Sequence, residues 1–256
     1  MRKVIAFVGS ARKKSTYDAA RQFLQNLESL GGIESEIVAL SDYRIETCRG
    51  CKLCFDKGEE HCPLRDDRDR LIEKMARSDG VVFASPNYSF QVSAITKTFL
   101  DRLGFVFHRP RFFGKAFTGI VVQGIYGGNK IVKYLDFVGN GLGFNTVRGR
   151  CLTALEPMST KEREKIEKAL TGLSREFHRR LLKPAHPVLT LFKLMMFRMA
   201  RSSIRVNLND SSRDYSYFRE KGWFDSDYYY PVRLGMMKRL AGKLFDSIAT
   251  RAYKNK

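Results

Sequence analysis

The chain has 256 residues, 46 of them Lys or Arg against 27 Asp or Glu, for a formal net charge of +19. That length supports one large domain or one domain with an extension, and the positive excess points to phosphate-bearing partners: a nucleotide cofactor, anionic lipid or nucleic acid. No apolar run approaches the roughly 18–20 residues that span a bilayer, and the apolar start Val4–Val8 is too short for a secretory signal.

The first apolar run, Lys3–Gly9, is rich in valine and isoleucine, as a buried strand should be. It stops at Gly9-Ser10. After a polar loop, Tyr17, Ala20, Phe23, Leu24 and Leu27 recur at helical spacing, and Gly31-Gly32 ends the helix. Ser35–Leu40 is the second strand, which makes a parallel crossover unit. A cysteine-rich stretch follows. The next helix spans about Arg68 to Ser78, with Asp66, Asp67 and Asp69 at its start, where carboxylates favour the helix dipole. Gly80–Ser85 is a third strand, ended by Pro86-Asn87, and Ile95, Phe99 and Leu103 mark a helix. Ala116–Gln123 is a fourth strand, a helix lies near Lys130–Phe137, Phe144–Cys151 is a fifth strand, and Thr160–Leu182 is a long helix. Five strands alternating with helices predict an α/β fold: a doubly wound, five-stranded parallel sheet of order 2-1-3-4-5 over residues 1–183.

Residues 184–256 differ. Leu189, Leu191, Phe192 and Leu194 mix with Lys193, Arg198, Arg201 and Arg205. A polar aromatic run containing Trp223, Phe224, Tyr228, Tyr229 and Tyr230 follows. A last amphipathic helix carries Leu234, Met237, Leu240, Leu244 and Ile248. This reads as a basic helical extension with too little core of its own. It is expected to pack on the sheet domain or a sister subunit, or to dock on an anionic membrane surface.

Four of the five cysteines, Cys48, Cys51, Cys54 and Cys62, fall at spacing C-x2-C-x2-C-x7-C. Clustered thiols bind a metal centre or do redox chemistry with one another. The spacing favours a four-thiolate iron–sulfur cube. Structural zinc usually takes two separated C-x2-C knuckles, and bare thiols are the other alternative. An odd, clustered set is unlike a secreted disulfide framework and fits a reducing cytoplasm.

In an open parallel sheet, ligands bind outside the carboxyl ends of the strands. The first exit is GSARKKST, residues 9–16. Amides at a helix N-terminus, the hydroxyls of Ser10, Ser15 and Thr16, and the Arg12 guanidinium can hold a terminal phosphate, or Ser15 or Thr16 can simply cap the helix. The loop is neither G-x-G-x-x-G nor G-x-x-x-x-G-K-[ST], which argues against a Rossmann dinucleotide and against NTP hydrolysis. The second exit holds Pro86, Asn87, Tyr88 and Ser89. The third holds Gly124, Tyr126, Gly127 and Gly128, whose glycines permit close backbone approach to a ligand or a turn of positive φ.

In their order, GSARKKST, the cysteine motif followed by Asp66-Asp67, the stretch ASPNYSFQVSAITKTFLDR and QGIYGG resemble the NAD(P)H-dependent FMN reductase branch of the flavodoxin-like superfamily, and within it the iron–sulfur flavoproteins. The resemblance covers about residues 1–180. It implies a flavodoxin-like fold binding FMN, NAD(P)H as co-substrate, a redox acceptor, and assembly as a homodimer or dimer of dimers. It also implies that Ser10, Arg12, Ser15 and Thr16 hold the FMN phosphate. Pro86, Asn87, Tyr88 and Ser89 would line the isoalloxazine and ribityl chain, with Gly124, Tyr126, Gly127 and Gly128 on the other side. Cys48, Cys51, Cys54 and Cys62 would ligate a [4Fe–4S] cluster. Cys151 is expected to be buried and inert. No side chain is assigned a catalytic role, because such chemistry belongs to the cofactors. There is no Ser-His-Asp or metal-hydrolase constellation; of the histidines only His61, beside Cys62, adjoins a candidate centre. The basic residues are dispersed and form no recognised nucleic-acid module.

Overall fold

The apolar runs form the sheet because their valines and isoleucines can be covered on both faces. In the computed structural model, which describes residues 1–183, 186 and 188–254, β1 (Arg2–Val8), β2 (Ile33–Ala39), β3 (Gly80–Pro86) and β4 (Ala116–Gln123) run parallel. The strand order is β2-β1-β3-β4-β5, with the crossover helix α1 (Ser15–Glu28) between β1 and β2. This is the flavodoxin-like order expected.

The single fifth strand expected over Phe144–Cys151 is two short pieces, β5 (Asn145–Thr146) and β6 (Arg150–Thr153), and both pair with β4. The break has a local cause. A Cβ on Gly149 would lie 2.4 Å from the Gly119 carbonyl oxygen, and the Gly149 amide donates to the Asp136 carboxylate at 3.1 Å instead of to the ladder.

A single helical turn that was not expected, α2 (Leu53–Asp56), precedes the expected helix, α3, which spans Arg68–Arg77. They are followed by α4 (Ala94–Arg102), α5 (Gly104–His108), α6 (Gly128–Gly141), α7 (Thr160–Leu182), α8 (Leu191–Asn207), α9 (Arg213–Glu220) and α10 (Met236–Lys254). The helix expected near Lys130–Phe137 runs longer, over Gly128–Gly141. α7 has the expected bounds. Ser159 accepts the Glu162 amide while Glu162 reaches back to the Ser159 amide, a capping box that fixes its start.

The chain gathers into two units: Met1–Cys48, Asp66–Gly104 and Pro110–Pro187 in one, and Arg49–Arg65, Phe105–Arg109 and Val188–Lys256 in the other. In the first, one face of the sheet offers Val4, Ala6, Val82 and Ile120 to Phe23 and Leu27 of α1 and to Leu173 and Phe177 of α7. The other face is a phenylalanine layer. Phe7 meets Phe83 at 5.7 Å, Phe83 meets Phe117 at 5.2 Å, and Phe117 meets Phe144 at 5.4 Å between ring centroids. Such pairs add about 0.5–1.5 kcal/mol each beyond their burial.

The second unit has its own core. Phe197, Phe218, Trp223 and Tyr229 pack edge to face, and the Trp223 indole donates to the Tyr229 carbonyl at 3.0 Å. The aromatic run of the expected extension thus builds this core, joined by the cysteine stretch and by Phe105–Arg109 from mid-chain. Pro184, where that extension was expected to begin, lies outside the described residues. Among the described residues, no helix is long and apolar enough to cross a membrane.

Candidate functional site

The carboxyl ends of β1, β3 and β4 are tied together in the first unit by hydrogen bonds. The Gly9 amide donates to the Ala84 carbonyl at 2.8 Å, and the Asn87 amide to Val122 at 2.7 Å. Asn87 Nδ2 donates to the Tyr126 carbonyl at 2.9 Å, which joins the second predicted loop to the third. Beneath them lies a buried hydroxyl cluster. Ser93 Oγ donates to the Gly9 carbonyl, Ser93 Oγ and Thr96 Oγ1 are 2.9 Å apart, and the Ser93 amide donates to Ser85 Oγ at 3.0 Å. A Cβ on Gly9 would fall 1.7 Å from Thr96 Oγ1, so the cluster admits only glycine there. Ser85, Ser93 and Thr96 position the rim without belonging to the predicted site. Their one visible signal is an N-cap pattern, Ser93 with Thr96 three residues on, which caps α4.

The first loop opens α1 through Lys14, which makes no side-chain capping bond. Ser15 and Thr16 lie within the first turn rather than at the cap. The first-turn amides therefore have no side-chain acceptor. Arg12, Lys13 and Lys14 are exposed beside that positive helix end, Lys13 within 3.5 Å of the Asp42 carboxylate, and cations there are disfavoured by up to about 1 kcal/mol each unless an anion offsets them. Ser10 is buried and donates to the Arg12 carbonyl at 3.0 Å.

The second loop is strained. Ser89 and Phe90 have φ of +49° and +63°, between paired Tyr88 and Gln91 amides and carbonyls. Left-handed backbone in two successive non-glycine residues costs of order 1–2 kcal/mol each. The turn presents Tyr88 and Phe90 to solvent, and Phe90 packs on the exposed Tyr126 ring at 5.3 Å. Asn87 Oδ1 is buried without a hydrogen-bond partner. The third loop is braced by Gln123, whose Oε1 accepts the Gly128 amide at 2.7 Å. Gly124 has open space around it; the nearest atom to its Cβ position is on Leu155, 3.8 Å away.

In the first unit, the chain on either side of the cysteine stretch is held by carboxylates. Asp66 accepts the Glu46 amide at 2.8 Å and pairs with Arg102 at 3.0 Å, both side chains at most 3% exposed. Asp67 accepts the Arg44 amide at 2.9 Å. Burial alone would raise the Asp66 carboxyl, but the Arg102 hydrogen bond, the Glu46 and Arg68 amides and the Arg102 charge together hold it below the ordinary carboxylate range. These roles, rather than the helix dipole alone, explain the paired aspartates.

Within the second unit, Arg109 is fully buried. Its Nη2 donates to the Cys54 carbonyl at 2.8 Å and to Glu59 at 2.9 Å, and its Nη1 pairs with Asp214 of α9. His108 Nδ1 lies 2.7 Å from the other Asp214 oxygen, and its ring packs on Phe55 at 4.3 Å. Cys48 and Cys51 are exposed, Cys54 is half-buried and Cys62 is buried. Cys48 closes a segment of the first unit, and the other three belong to the second. Cys151 sits on β6 half-buried rather than buried, where burial pushes its thiol up.

Residues 2–154 match the family described as NADPH-dependent FMN reductase. The chain belongs to this family. An iron–sulfur flavoprotein of Archaeoglobus fulgidus is 31% identical over 235 residues, which span 86% of this chain and 99% of that protein. An iron–sulfur flavoprotein of Methanocaldococcus jannaschii is 36% identical over 100 residues, 39% of this chain and 51% of the relative. Among solved structures, RosB with a bound flavin-phosphate intermediate aligns with a TM-score of 0.60 at 13% identity, covering 92% of each chain. NAD(P)H:quinone oxidoreductase from Methanothermobacter marburgensis aligns with a TM-score of 0.54 at 18% identity, covering 68% of this chain and 98% of that one. At these identities the likeness to the solved structures is one of fold.

Membership makes this FMN reductase relative an FMN-dependent oxidoreductase, and the rim fits that cofactor. The α1 amides without a side-chain acceptor and three adjacent cations suit a phosphate. The orphaned Asn87 Oδ1 and the exposed Tyr88, Phe90 and Tyr126 rings suit a flat, hydrogen-bonding heterocycle. The iron–sulfur cluster stands differently. Four thiols are the right donor set, but among the described residues no three His, Cys, Asp or Glu side chains lie together as a metal site requires. His61 Nδ1 instead approaches Glu60 at 3.5 Å.

Proposed function

We propose that the chain binds FMN across the β1, β3 and β4 exits and uses it to oxidise NAD(P)H on behalf of a redox acceptor. The observation that carries this reading is the orphaned Asn87 Oδ1, buried between two loops that present exposed rings, in a family whose cofactor is FMN. Ser10, Arg12, Ser15 and Thr16, with the first-turn amides of α1, would hold the phosphate. Pro86, Asn87, Tyr88 and Ser89 would border the ring system and its side chain, with Gly124, Tyr126, Gly127 and Gly128 opposite. The chemistry supplied by bound FMN is acceptance of a hydride's two electrons and their release singly or in pairs. The chain's part is to orient, to keep water from the ring through Tyr88, Phe90 and Tyr126, and to offset negative charge through Arg12 and its neighbours.

Cys48, Cys51, Cys54 and Cys62 are the proposed ligands of a [4Fe–4S] cluster, a reading supported by the donor set and by the names of the curated relatives. Holding it requires the four thiols to be gathered around one centre. The flavin-binding part is taken as residues 1–183, assembled as a dimer or dimer of dimers in a reducing cytoplasm.

Anaerobic purification tests the proposal. Flavin absorbance at one FMN per chain and consumption of NADH or NADPH are expected, with iron and sulfide at four each per chain. Flavin without iron removes the cluster and leaves the reductase. Tight flavin without NAD(P)H consumption replaces the enzyme with an electron carrier.

A further inference from the structure

The second unit exposes an apolar surface that its own core does not use. Along α10, Met237, Leu240, Leu244 and Ile248 recur at intervals of three and four residues, each at least 50% exposed. The opposite side of the helix is the packed one: Ala249 is fully buried, and Gly242 lies against the Arg198 guanidinium of α8. α8 itself exposes Leu191, Phe192 and Met196. Singly exposed apolar residues are ordinary, but rows of them on adjacent helices mark an interaction surface.

The charge around these rows identifies the partner. α8 carries no carboxylate at all. The only carboxylate of α10, Asp246, is taken up by Arg198 at 2.9 Å, Arg201 at 2.6 Å and Ser202 at 3.2 Å. Exposed Arg239, Lys243 and Arg251 sit beside the α10 row. A second copy docked through its own α8 and α10 would bring the same cations, and the neighbouring carboxylates Asp225 and Asp227 are already paired with Arg205 and Arg198. A bilayer of anionic lipid meets both demands, taking the apolar row into the headgroup boundary and the cations against the phosphates.

We propose that α8 and α10 form a docking face for an anionic lipid surface. The full-length protein is mixed with vesicles of phosphatidylcholine alone, or with about one-third phosphatidylglycerol, and sedimented. Binding to the anionic vesicles at low salt is expected, with little on neutral ones and a drop of about tenfold or more at ~0.5 M salt. Because a basic protein can adhere by charge alone, the deciding variant is Leu240→Ser with Leu244→Ser, which leaves net charge unchanged. It is expected to lose about tenfold in partition while keeping the wild-type thermal melt, since both side chains are exposed. Arg239→Glu with Lys243→Glu should lose binding and its salt dependence together. The proposal is overturned by no binding to anionic vesicles, by equal binding to neutral ones, or by a Leu240→Ser, Leu244→Ser variant that binds as well as wild type. It is also overturned if light scattering finds a dimer that this variant splits, which would assign the face to a second copy.

Discussion

The flavin rim and the cysteine loop come from the same chain but are built on opposite plans. The rim is organised by neutral groups: glycine backbone, a cluster of three buried hydroxyls and two carboxamides, Asn87 and Gln123. It leaves the Asn87 oxygen without a partner and three rings exposed, as a surface shaped for a ligand does. The cysteine stretch is organised by buried ions, Asp66 with Arg102 where the chain leaves it and Arg109 with Asp214 along it. Its polar groups are largely satisfied inside the protein, while its thiols are not gathered. Neutral scaffolding can be made from short local motifs. Buried charge must find its counter-charge wherever the fold brings one, or leave several kcal/mol uncompensated.

The largest effect should come from the ion that holds the loop. Arg109→Met leaves Asp214 buried without its principal cation and removes the hydrogen bonds from Arg109 to the Cys54 carbonyl and Glu59. A loss of about 3–5 kcal/mol is expected, read by urea denaturation, together with loss of whatever iron the protein holds. A variant as stable as wild type would mean that the loop stands without the clamp. Asp66 gives the same contrast a pH signature. Its folded pKa is depressed, so the stability it contributes is present above the ordinary carboxylate value of about 4 and is lost as pH falls through the lower folded value. Thermal melts should decline below pH 4 in wild type. Asp66→Asn should start lower at pH 7 and decline less, and parallel pH curves would place the titration elsewhere.

How much of this could be read without coordinates follows the same division. Strands such as Gly80–Pro86, apolar but for Ser85 and bounded by glycine and Pro-Asn, announce both themselves and their parallel order. The rim loops sit directly after them, so their meeting was legible too. The ion pairs were not. Asp66 and Arg102 are 36 residues apart, and Arg109 and Asp214 are 105 apart, and no periodicity links them. Nor does composition say that Phe105–Arg109 and the cysteine stretch share a unit with Trp223 and Phe218. The split of the fifth strand hangs on one close approach, Gly149 to Gly119, which exists only once β4 and α6 are in place.

Next in size are changes to the neutral scaffold. Gly9→Ala drives a methyl into Thr96 Oγ1, and overpacking of this kind costs about 1–3 kcal/mol. Because Ser93 also holds the Gly9 carbonyl, FMN affinity should fall with stability. Retained affinity would show that the hydroxyl cluster serves folding alone. Asn87→Ala separates the two. It removes the tie to the Tyr126 carbonyl but also removes a buried unpaired oxygen, so apo stability should move by less than about 1 kcal/mol. FMN titration should weaken about tenfold, or ~1.4 kcal/mol. Unchanged affinity would take Asn87 out of the flavin site.

The smallest expected effect is the most diagnostic of what the rim is for. Ser89 holds φ of +49°, a conformation glycine adopts without the steric penalty of about 1–2 kcal/mol. Glycine in turn loses roughly 0.5–1 kcal/mol more backbone entropy on ordering. Ser89→Gly should therefore stabilise the flavin-free protein by no more than about 1 kcal/mol, seen as a small rise in the melting temperature. If the strained turn exists to pre-shape the rim, the same substitution should weaken FMN binding by two- to fivefold, because the turn becomes free to leave the shape the ligand needs. Stabilisation with unchanged affinity would mark the strain as a by-product of presenting Tyr88 and Phe90. Destabilisation would show that the Ser89 side chain carries a contact worth more than its backbone strain.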